Sequence, residues 1–316
     1  MPVYNAAGFL QESVTSLLEQ TYPNTEIIIV DDSSLDNSYA IAKTFECNSI
    51  KVLKQPNSGA AVARNTGFAY ATGDYIQFMD VDDFLSSDKI EKQVKSLEGA
   101  SNKVAVCDYV EFTDTDNLKN LVAKEYLREF IYTTNEPAKL LINLLGGNGK
   151  ESFIQTNCWL LPRQLVSTVG GWRNYRSVDD DGEFFTRIAL ASEGIIYVKK
   201  VLVYYRRSSS NSCLSNSRQY HLLRNMLLTI DLKYSYISKH SPSLNLNKAF
   251  AKQYLNYAVY NYPEQKKLSA IAYRKYKRLK CNVNPPKLGG TVVEMVSKVF
   301  GWRFTRRIKY ILSATN

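Results

Sequence analysis

Between residues 8 and 110 the spacing of apolar positions switches repeatedly between a helical and an extended period. Phe9, Leu10, Val14, Leu17 and Leu18 share one face of a helix over about 8–20, with Asn5 placed to cap it. Ile27-Ile28-Ile29-Val30 is an unbroken apolar run, the pattern of a strand buried on both sides. Asp36 opens a helix over about 37–46, and Ile50–Lys54 gives a short strand. Gly59 leads into an alanine-rich helix ending at Ala71, and Tyr75-Ile76-Gln77-Phe78 is the next strand, followed by a helix over 87–97 and a strand over 104–110. This alternation predicts an α/β fold, a mostly parallel sheet with flanking helices. The pattern loosens over 112–150, around Asp114, Asp116 and Gly146-Gly147-Asn148-Gly149. It returns as a strand-like segment over 154–161, a helix over 180–192 and a strand over 201–205. Beyond Arg207 the run Ser208-Ser209-Ser210-Asn211-Ser212 reads as a polar linker, and helical spacing then covers about 216–239, 244–260 and 264–279 before Pro285-Pro286. The opening Met1-Pro2-Val3-Tyr4-Asn5 has the character of a loop that follows a strand, so a first strand of about four to six apolar residues, and with it the native start, is expected upstream.

The length of 316 residues fits one large domain, or a domain with an appendage, and the 45% hydrophobic fraction is enough for a full core. No apolar run reaches the roughly 18 residues of a spanning helix, and no signal peptide precedes the first motif. Cys47, Cys107, Cys158, Cys213 and Cys281 are odd in number and scattered, which argues against a disulfide framework or a zinc site and for a cytoplasmic setting. His221 and His240 lie far from any acidic run, which excludes histidine-based catalysis. The net charge of +10 divides unevenly: residues 1–198 carry 17 Lys+Arg against 27 Asp+Glu, and residues 199–316 carry 23 against three. An acidic body is therefore joined to a basic region suited to nucleic acid, an anionic membrane surface or phosphate-bearing substrates.

The acidic body concentrates its chemistry at strand ends. Asp80 and Asp82, two apart after the strand at 75–78, share one side of an extended chain. Two oxygen ligands so placed suit Mg²⁺ or Mn²⁺, which in turn can hold a diphosphate; the alternative is a solvated acidic turn. Asp31 and Asp32 end a buried strand, so at least one carboxylate faces the crevice. Asp32 can equally form a turn or cap. Gly59 allows close backbone approach at a helix start that favours phosphate. Arg64, one turn on, reaches either a diphosphate or Asp80, or else braces the acidic loop as an ion pair. Asn65 and Gly67 pack the helix on the sheet.

Pro2-Val3-Tyr4-Asn5, Val30-Asp31-Asp32-Ser33-Ser34-Leu35-Asp36, Asn57-Ser58-Gly59 with Ala63-Arg64-Asn65-Thr66-Gly67, and Asp80-Val81-Asp82-Asp83 occur in that order. Together they closely resemble family 2 glycosyltransferases of the GT-A fold, strongly over about 1–110 and more weakly over 150–210. The resemblance implies a nucleoside-diphosphate (UDP) sugar donor and an inverting transfer to a glycan or lipid-linked acceptor. It assigns base recognition to Asp32, with Tyr4 packed on the base and Pro2 lining it. Asp82 becomes the firmer metal ligand, and Asp80 is shared between ribose and metal. Val81 departs from the small or polar residue common there, without blocking ligation. Inverting transfer needs a base for the acceptor hydroxyl, and Asp179-Asp180-Asp181-Gly182-Glu183 is the candidate cluster. Crowded acids raise at least one pKa, whereas the following helix start keeps a carboxylate ionised. In the family an acidic pair precedes a helix containing an arginine, and counting back from Arg187 gives Asp180-Asp181, with Asp181 as base and Asp180 in reserve. Asp179 caps the helix. Gly170-Gly171-Trp172 resembles the turn before the acceptor site, and Tyr204-Tyr205-Arg206-Arg207 with the serine-rich run the loop closing over the donor, where Arg206 or Arg207 either contacts diphosphate or merely ends a strand. The resulting division is 1–110 for the nucleotide sugar, 111–212 for acceptor and base, and 213–316 as a basic helical extension.

In that extension, Val293, Val296, Phe300, Phe304, Ile308 and Ile311 fall on one helical face, with Lys298, Arg303, Arg306, Arg307 and Lys309 supplying charge. This fits a peripheral helix on the cytoplasmic face of an anionic membrane, or one docked on the body, with Gly301 interrupting it. A nucleic-acid-binding protein is the alternative class, disfavoured because the charge is spread over amphipathic helices without a recognised module. A GT-A homologue that binds donor without turnover is the third reading.

Overall fold

The structure is a computed structural model that describes residues 1–207 and 218–314. The serine-rich run at 208–212 and Cys213 fall outside the described residues. The elements in chain order are β1 (Pro2–Val3), α1 (Ala7–Leu18), β2 (Ile27–Asp31), α2 (Ser38–Thr44), β3 (Ile50–Lys54), α3 (Ala60–Tyr70), β4 (Tyr75–Ile76), β5 (Phe84–Leu85), α4 (Lys89–Leu97), β6 (Lys103–Phe112), α5 (Pro137–Leu144), β7 (Trp159–Pro162), α6 (Arg163–Val169), α7 (Asp180–Ala191), β8 (Gly194–Arg206), α8 (Tyr220–His240), α9 (Leu244–Tyr260), α10 (Lys266–Arg278) and α11 (Thr291–Ala314). They form two compact units: Met1–Leu141, Ser152–Arg176 and Asp180–Asn216 in the first, and Ile142–Glu151, Ser177–Asp179 and Ser217–Asn316 in the second.

In the first unit β1, β2 and β3 form a parallel sheet in that order. The apolar run of β2 is buried on both sides. Ile29 packs with Leu10, Val14, Ile50 and Val52, whereas Ile28 and Val30 pack with Ala63 of α3. Period-two alternation thus divides one run between two helix layers. A second sheet has the order β4-β7-β6-β8-β5. Its central pair β6–β8 is parallel, and β7, β4 and β5 are added antiparallel.

Several elements differ from the sequence reading. β1 contains only Pro2 and Val3, paired with Val30 and Asp31. β4 stops at Ile76, and the Gln77 side chain donates to the Asn157 carbonyl (3.0 Å). β8 runs from residue 194 rather than 201. Lys199 and Lys200 break its apolar pattern in sequence, and in space Cys107 faces Val198 while Asp108 faces Leu202. The extra residues form a bulge with Lys200 at φ 62°. Asn5 does not cap α1: its φ is 49° and its Oδ1 accepts from Leu35 N (2.7 Å). The first amides of α1 are instead met from afar, Ala6 N by Ser38 Oγ (2.8 Å) and Ala7 N by Asp36 Oδ2 (3.0 Å). The loosely patterned 112–150 contains α5, and α6 forms between Pro162 and the left-handed Gly170.

In the second unit α8, α9 and α10 take the places expected of them, with Leu227, Phe250, Leu255, Ala258, Leu268 and Ala272 buried. α11 is broken at Gly301 (φ 80°, ψ 158°). Among the described residues no helix is long and apolar enough to cross a membrane.

Candidate active site

The carboxyl end of β2 brings Asp31 and Asp32 into the interior beside Val3, whose carbonyl accepts from Asp32 N (2.8 Å). Their side chains do different things. Asp32 Oδ1 accepts from Gln55 Nε2 and Ser58 N, both at 2.8 Å, and Oδ2 accepts from Gly59 N (2.8 Å). It therefore anchors the chain that enters α3. Asp31 Oδ1 accepts from Ser34 N (3.2 Å), whereas its Oδ2 is buried without a hydrogen-bond partner. Tyr4, half exposed, and Pro2 flank this strand end.

Gly59 sits at φ 91°, ψ 161° at the start of α3. An added Cβ there would meet Arg176 Nε at 3.4 Å. Arg176 is exposed and its Nη2 donates to the Asn57 carbonyl (3.3 Å). Sequence reasoning did not single out Arg176. Its only signal is that it is one of two arginines, with Arg173, between the Gly170-Gly171-Trp172 turn and the acidic run.

Arg64 ties Asp80 and Asp180 together. Its guanidinium is 9% exposed, donates to Asp80 Oδ1 (2.7 Å), lies 3.6 Å from Asp180 Oδ2 and stacks over the Trp172 ring at 4.3 Å. Burial alone would lower its pKa, but the charges of Asp80, Asp180 and Asp181 raise it. Nε and Nη1 are buried without hydrogen-bond partners, so the group is not saturated.

The loop Asp80–Asp83 is clamped from behind. Asp80 N donates to Asn157 Oδ1 (2.9 Å). Asp83 is fully buried; its Oδ2 accepts from Gln155 Nε2 (2.7 Å) and Asn157 Nδ2 (2.9 Å), and its Oδ1 from Arg206 N (2.8 Å). Burial, then the charges of Asp82 and Asp80, push the Asp83 carboxyl well above its ordinary pKa. Asp83 thus orients the loop. Asp82 is half-buried, and burial followed by the Asp80 charge raises its pKa as well.

Arg206 is buried and paired within the protein. Its Nε donates to the Asp82 carbonyl (3.0 Å), Nη2 pairs with Glu12 (2.8 Å) and Nη1 with Asp114. The guanidinium lies between Phe9, Phe84 and Phe112, at 5.1, 5.1 and 4.7 Å. It braces the acidic loop, and Arg176 is the exposed cation beside Gly59 instead.

Asp180 and Asp181 open α7, with Asp181 N donating to Asp180 Oδ1 (3.0 Å). Glu183 is set apart from them: it is buried and bidentate to Arg187 (2.9 Å twice). Arg187 also donates to the carbonyls of Val169 (2.6 Å) and Gly171 (2.8 Å), fixing the turn under Trp172. In the second unit Asp179 accepts from Lys233 Nζ (2.5 Å) and Thr229 Oγ1 (3.3 Å).

Among the described residues no cluster of three or more His, Cys, Asp or Glu stands ready to hold a metal. Asp80 and Asp82 nevertheless fit a hard cation whose other ligands come from a diphosphate. Both are carboxylates, Arg64 takes one Asp80 oxygen, and Asp82 is desolvated beside a like charge that a cation would relieve. A cavity of about 640 Å³ in the first unit is walled by Ile27, Ile28, Phe68, Ile76, Phe78 and Leu160 and reaches Arg64, but none of Asp31, Asp82 or Asp180 lines it.

The chain is similar to several known proteins. The chain is 30% identical over 234 residues to glycosyltransferase GlyA of Streptococcus pneumoniae, covering 71% of this chain but only 32% of GlyA. It is 31% identical over 224 residues to GlyG of the same organism, covering 67% of this chain and 70% of GlyG. Over 98 residues it is 41% identical to the Escherichia coli UDP-Glc:alpha-D-GlcNAc-diphosphoundecaprenol beta-1,3-glucosyltransferase WfgD, covering 31% and 39%. The fold is of the GT-A type: S. aureus TarS 1–349 in complex with UDP-GlcNAc superposes with a TM-score of 0.59 at 15% identity, over 88% of each chain. A family model described as Glycosyl transferase family 2 matches residues 1–170, and the chain belongs to that family.

Proposed function

We propose that the chain is a metal-dependent inverting glycosyltransferase that moves a sugar from a UDP-linked donor to a hydroxyl of a glycan or lipid-linked acceptor. The observation that carries this reading is the bridge made by Arg64 between Asp80 and Asp180. It holds a donor-side acid and an acceptor-side acid within one charge network. The UDP and UDP-GlcNAc complexes of TarS and the UDP-Glc donor of WfgD support the nucleotide, and the diphosphoundecaprenol-linked acceptor of WfgD supports a lipid-linked hydroxyl.

In this reading Asp31 Oδ2, the unsatisfied acceptor, receives the base N–H, and Tyr4 and Pro2 line the ring. Asp32, to which the resemblance gives the base, instead holds Ser58 and Gly59, whose helix start favours phosphate. Arg176 flanks the same point. Asp82 and Asp80 hold Mg²⁺ or Mn²⁺, which when bound offsets negative charge on the departing diphosphate. Asp181 takes the proton of the acceptor hydroxyl as the oxygen bonds to the anomeric carbon and the carbon–phosphate oxygen bond breaks on the opposite face. Asp180, paired with Arg64, orients the start of α7.

The test is the melting temperature of the purified protein with UDP, GDP and ADP, each with and without Mn²⁺. A rise for UDP that needs Mn²⁺ is expected. Asp82→Asn should abolish that rise, whereas Asp181→Asn should retain it and lose transfer. A shift indifferent to the cation, or no shift with any nucleotide, overturns the reading.

A further inference from the structure

We infer that α11 and the groove at its side form a docking surface for an anionic phospholipid bilayer. The helix carries an apolar stripe that the second unit leaves in solvent: Val292 is 74% exposed, Met295 63%, Val299 73%, Phe300 63%, Phe304 45% and Ile308 38%. The stripe differs from the expected one. Val293 and Val296 are only half-exposed, and the break at Gly301 re-aims the second half. The Phe300 and Phe304 rings meet across that break, 5.1 Å apart, so apolar surface continues through it. Isolated exposed leucines need no explanation, but a stripe running the length of one helix does.

What covers it follows from charge. Residues 217–316 carry 19 Lys+Arg against three Asp+Glu. Lys298, Arg303 and Arg307 are exposed on α11 itself. A groove of about 550 Å³ beside it is lined by Lys266, Lys267 and Arg307 with Tyr220 and Tyr310, and Glu264 is the one acid there. A second copy of this surface would bring like charges together. A nucleic-acid backbone would neutralise the cations yet leave the phenylalanines in water. A bilayer with anionic headgroups answers both features: basic groups lie at the headgroups and the stripe enters the acyl boundary. Arg306 is turned inward to the carbonyls of Tyr260 and Tyr262 (3.0 and 2.9 Å) and Lys309 reaches the Leu288 carbonyl (2.6 Å), which fixes α11 while Lys298 and Arg307 stay exposed.

The experiment is flotation of the full chain with phosphatidylcholine vesicles, either pure or containing about one-third phosphatidylglycerol. Binding to the anionic vesicles alone, weakened by salt, is expected. Lys266→Gln/Lys267→Gln/Arg307→Gln should reduce it about a hundredfold, near tenfold or less per charge. Phe300→Ser/Phe304→Ser/Ile308→Ser should also reduce it strongly, while the UDP-induced melting shift stays intact and shows the chain folded. Equal binding to neutral vesicles, or undiminished binding by the apolar triple variant, overturns the proposal. So does a dimer in sedimentation analysis that the apolar variant abolishes, since the stripe would then belong to self-association. Vesicle binding is read without turnover, so its failure is distinct from failure of the transferase reading.

Discussion

At the scale of single residues, Asp31 and Asp32 separate by what reaches their oxygens, with Asp32 satisfied on both sides and Asp31 left with Oδ2 unpaired. Asp31→Asn should lower UDP affinity by roughly ten- to a hundredfold, because an acceptor becomes a donor, with little change in unfolding free energy. Asp32→Ala should instead lose about 1–3 kcal/mol of stability in urea titration, since it strands the amides of Ser58 and Gly59. Equal effects of the two on melting and on UDP binding would count against this division. Arg64 makes a harsher case. Removing it leaves Asp80 and Asp180 beside each other uncompensated, so Arg64→Met should cost about 3 kcal/mol in the same titration. Arg64→Lys should not recover the loss, because an ammonium lacks the planar face that stacks on Trp172. At Arg64, which the sequence leaves between ligand and brace, the structure gives ion pairs with Asp80 and Asp180 and leaves Nε and Nη1 buried without hydrogen-bond partners.

At the scale of elements, the turn at 170–172 is held by α3 and α7 together. Asn65 Nδ2 donates to the Trp172 carbonyl (2.7 Å) and its Oδ1 accepts from Trp172 N (2.8 Å), while Arg187 grips the Gly171 carbonyl from α7. Asn65, read from the sequence as a helix-packing residue, therefore packs α3 against a turn rather than the sheet. Gly171 has φ 69°, and an added Cβ would stand 2.7 Å from Asn65 Oδ1. Gly171→Ala should cost about 2 kcal/mol or more, and also slow transfer by displacing Trp172 from beneath Arg64. Adding Asn65→Ala should relieve the clash but not the backbone strain, so a double-mutant cycle that restores full stability would contradict this account. The helix boundaries follow the same lesson. Periodicity located α1, α3, α7 and the helices of the second unit, whereas the caps of α1 come from Asp36 and Ser38, about thirty residues away.

At the scale of the whole molecule, pH reports the buried charges. Lys89 is fully buried, and burial lowers its pKa from 10.5 to about 8. A base with a depressed folded pKa holds fewer protons folded than unfolded between those values. Stability should therefore rise as pH increases from about 8 toward 10.5, by on the order of 3 kcal/mol. Lys89→Met should flatten that limb in thermal melts across the range. Asp82 and Asp83 act in the opposite sense. Their raised pKa values make the folded state bind protons more tightly, so stability falls as pH climbs from the ordinary carboxylate range through their shifted values. Cation-dependent donor binding should fade as pH drops through the raised Asp82 value, measured as the Mn²⁺-dependent part of the UDP melting shift.

The α/β architecture, the family and the candidate acids could be read from residue order, because apolar period and motif spacing are local properties of a chain. β2 declares its double burial in four consecutive residues, and the Asp80-Val81-Asp82-Asp83 segment declares its chemistry in as many. Which oxygen stays open, which arginine is locked away and where an apolar stripe points were settled by folding. The groups that satisfy Asp32 lie 23, 26 and 27 residues away, and those that lock Arg206 reach back to Glu12 across 194. Hydrogen-bond satisfaction and burial are sums over neighbours in space, and no window along the sequence contains those neighbours.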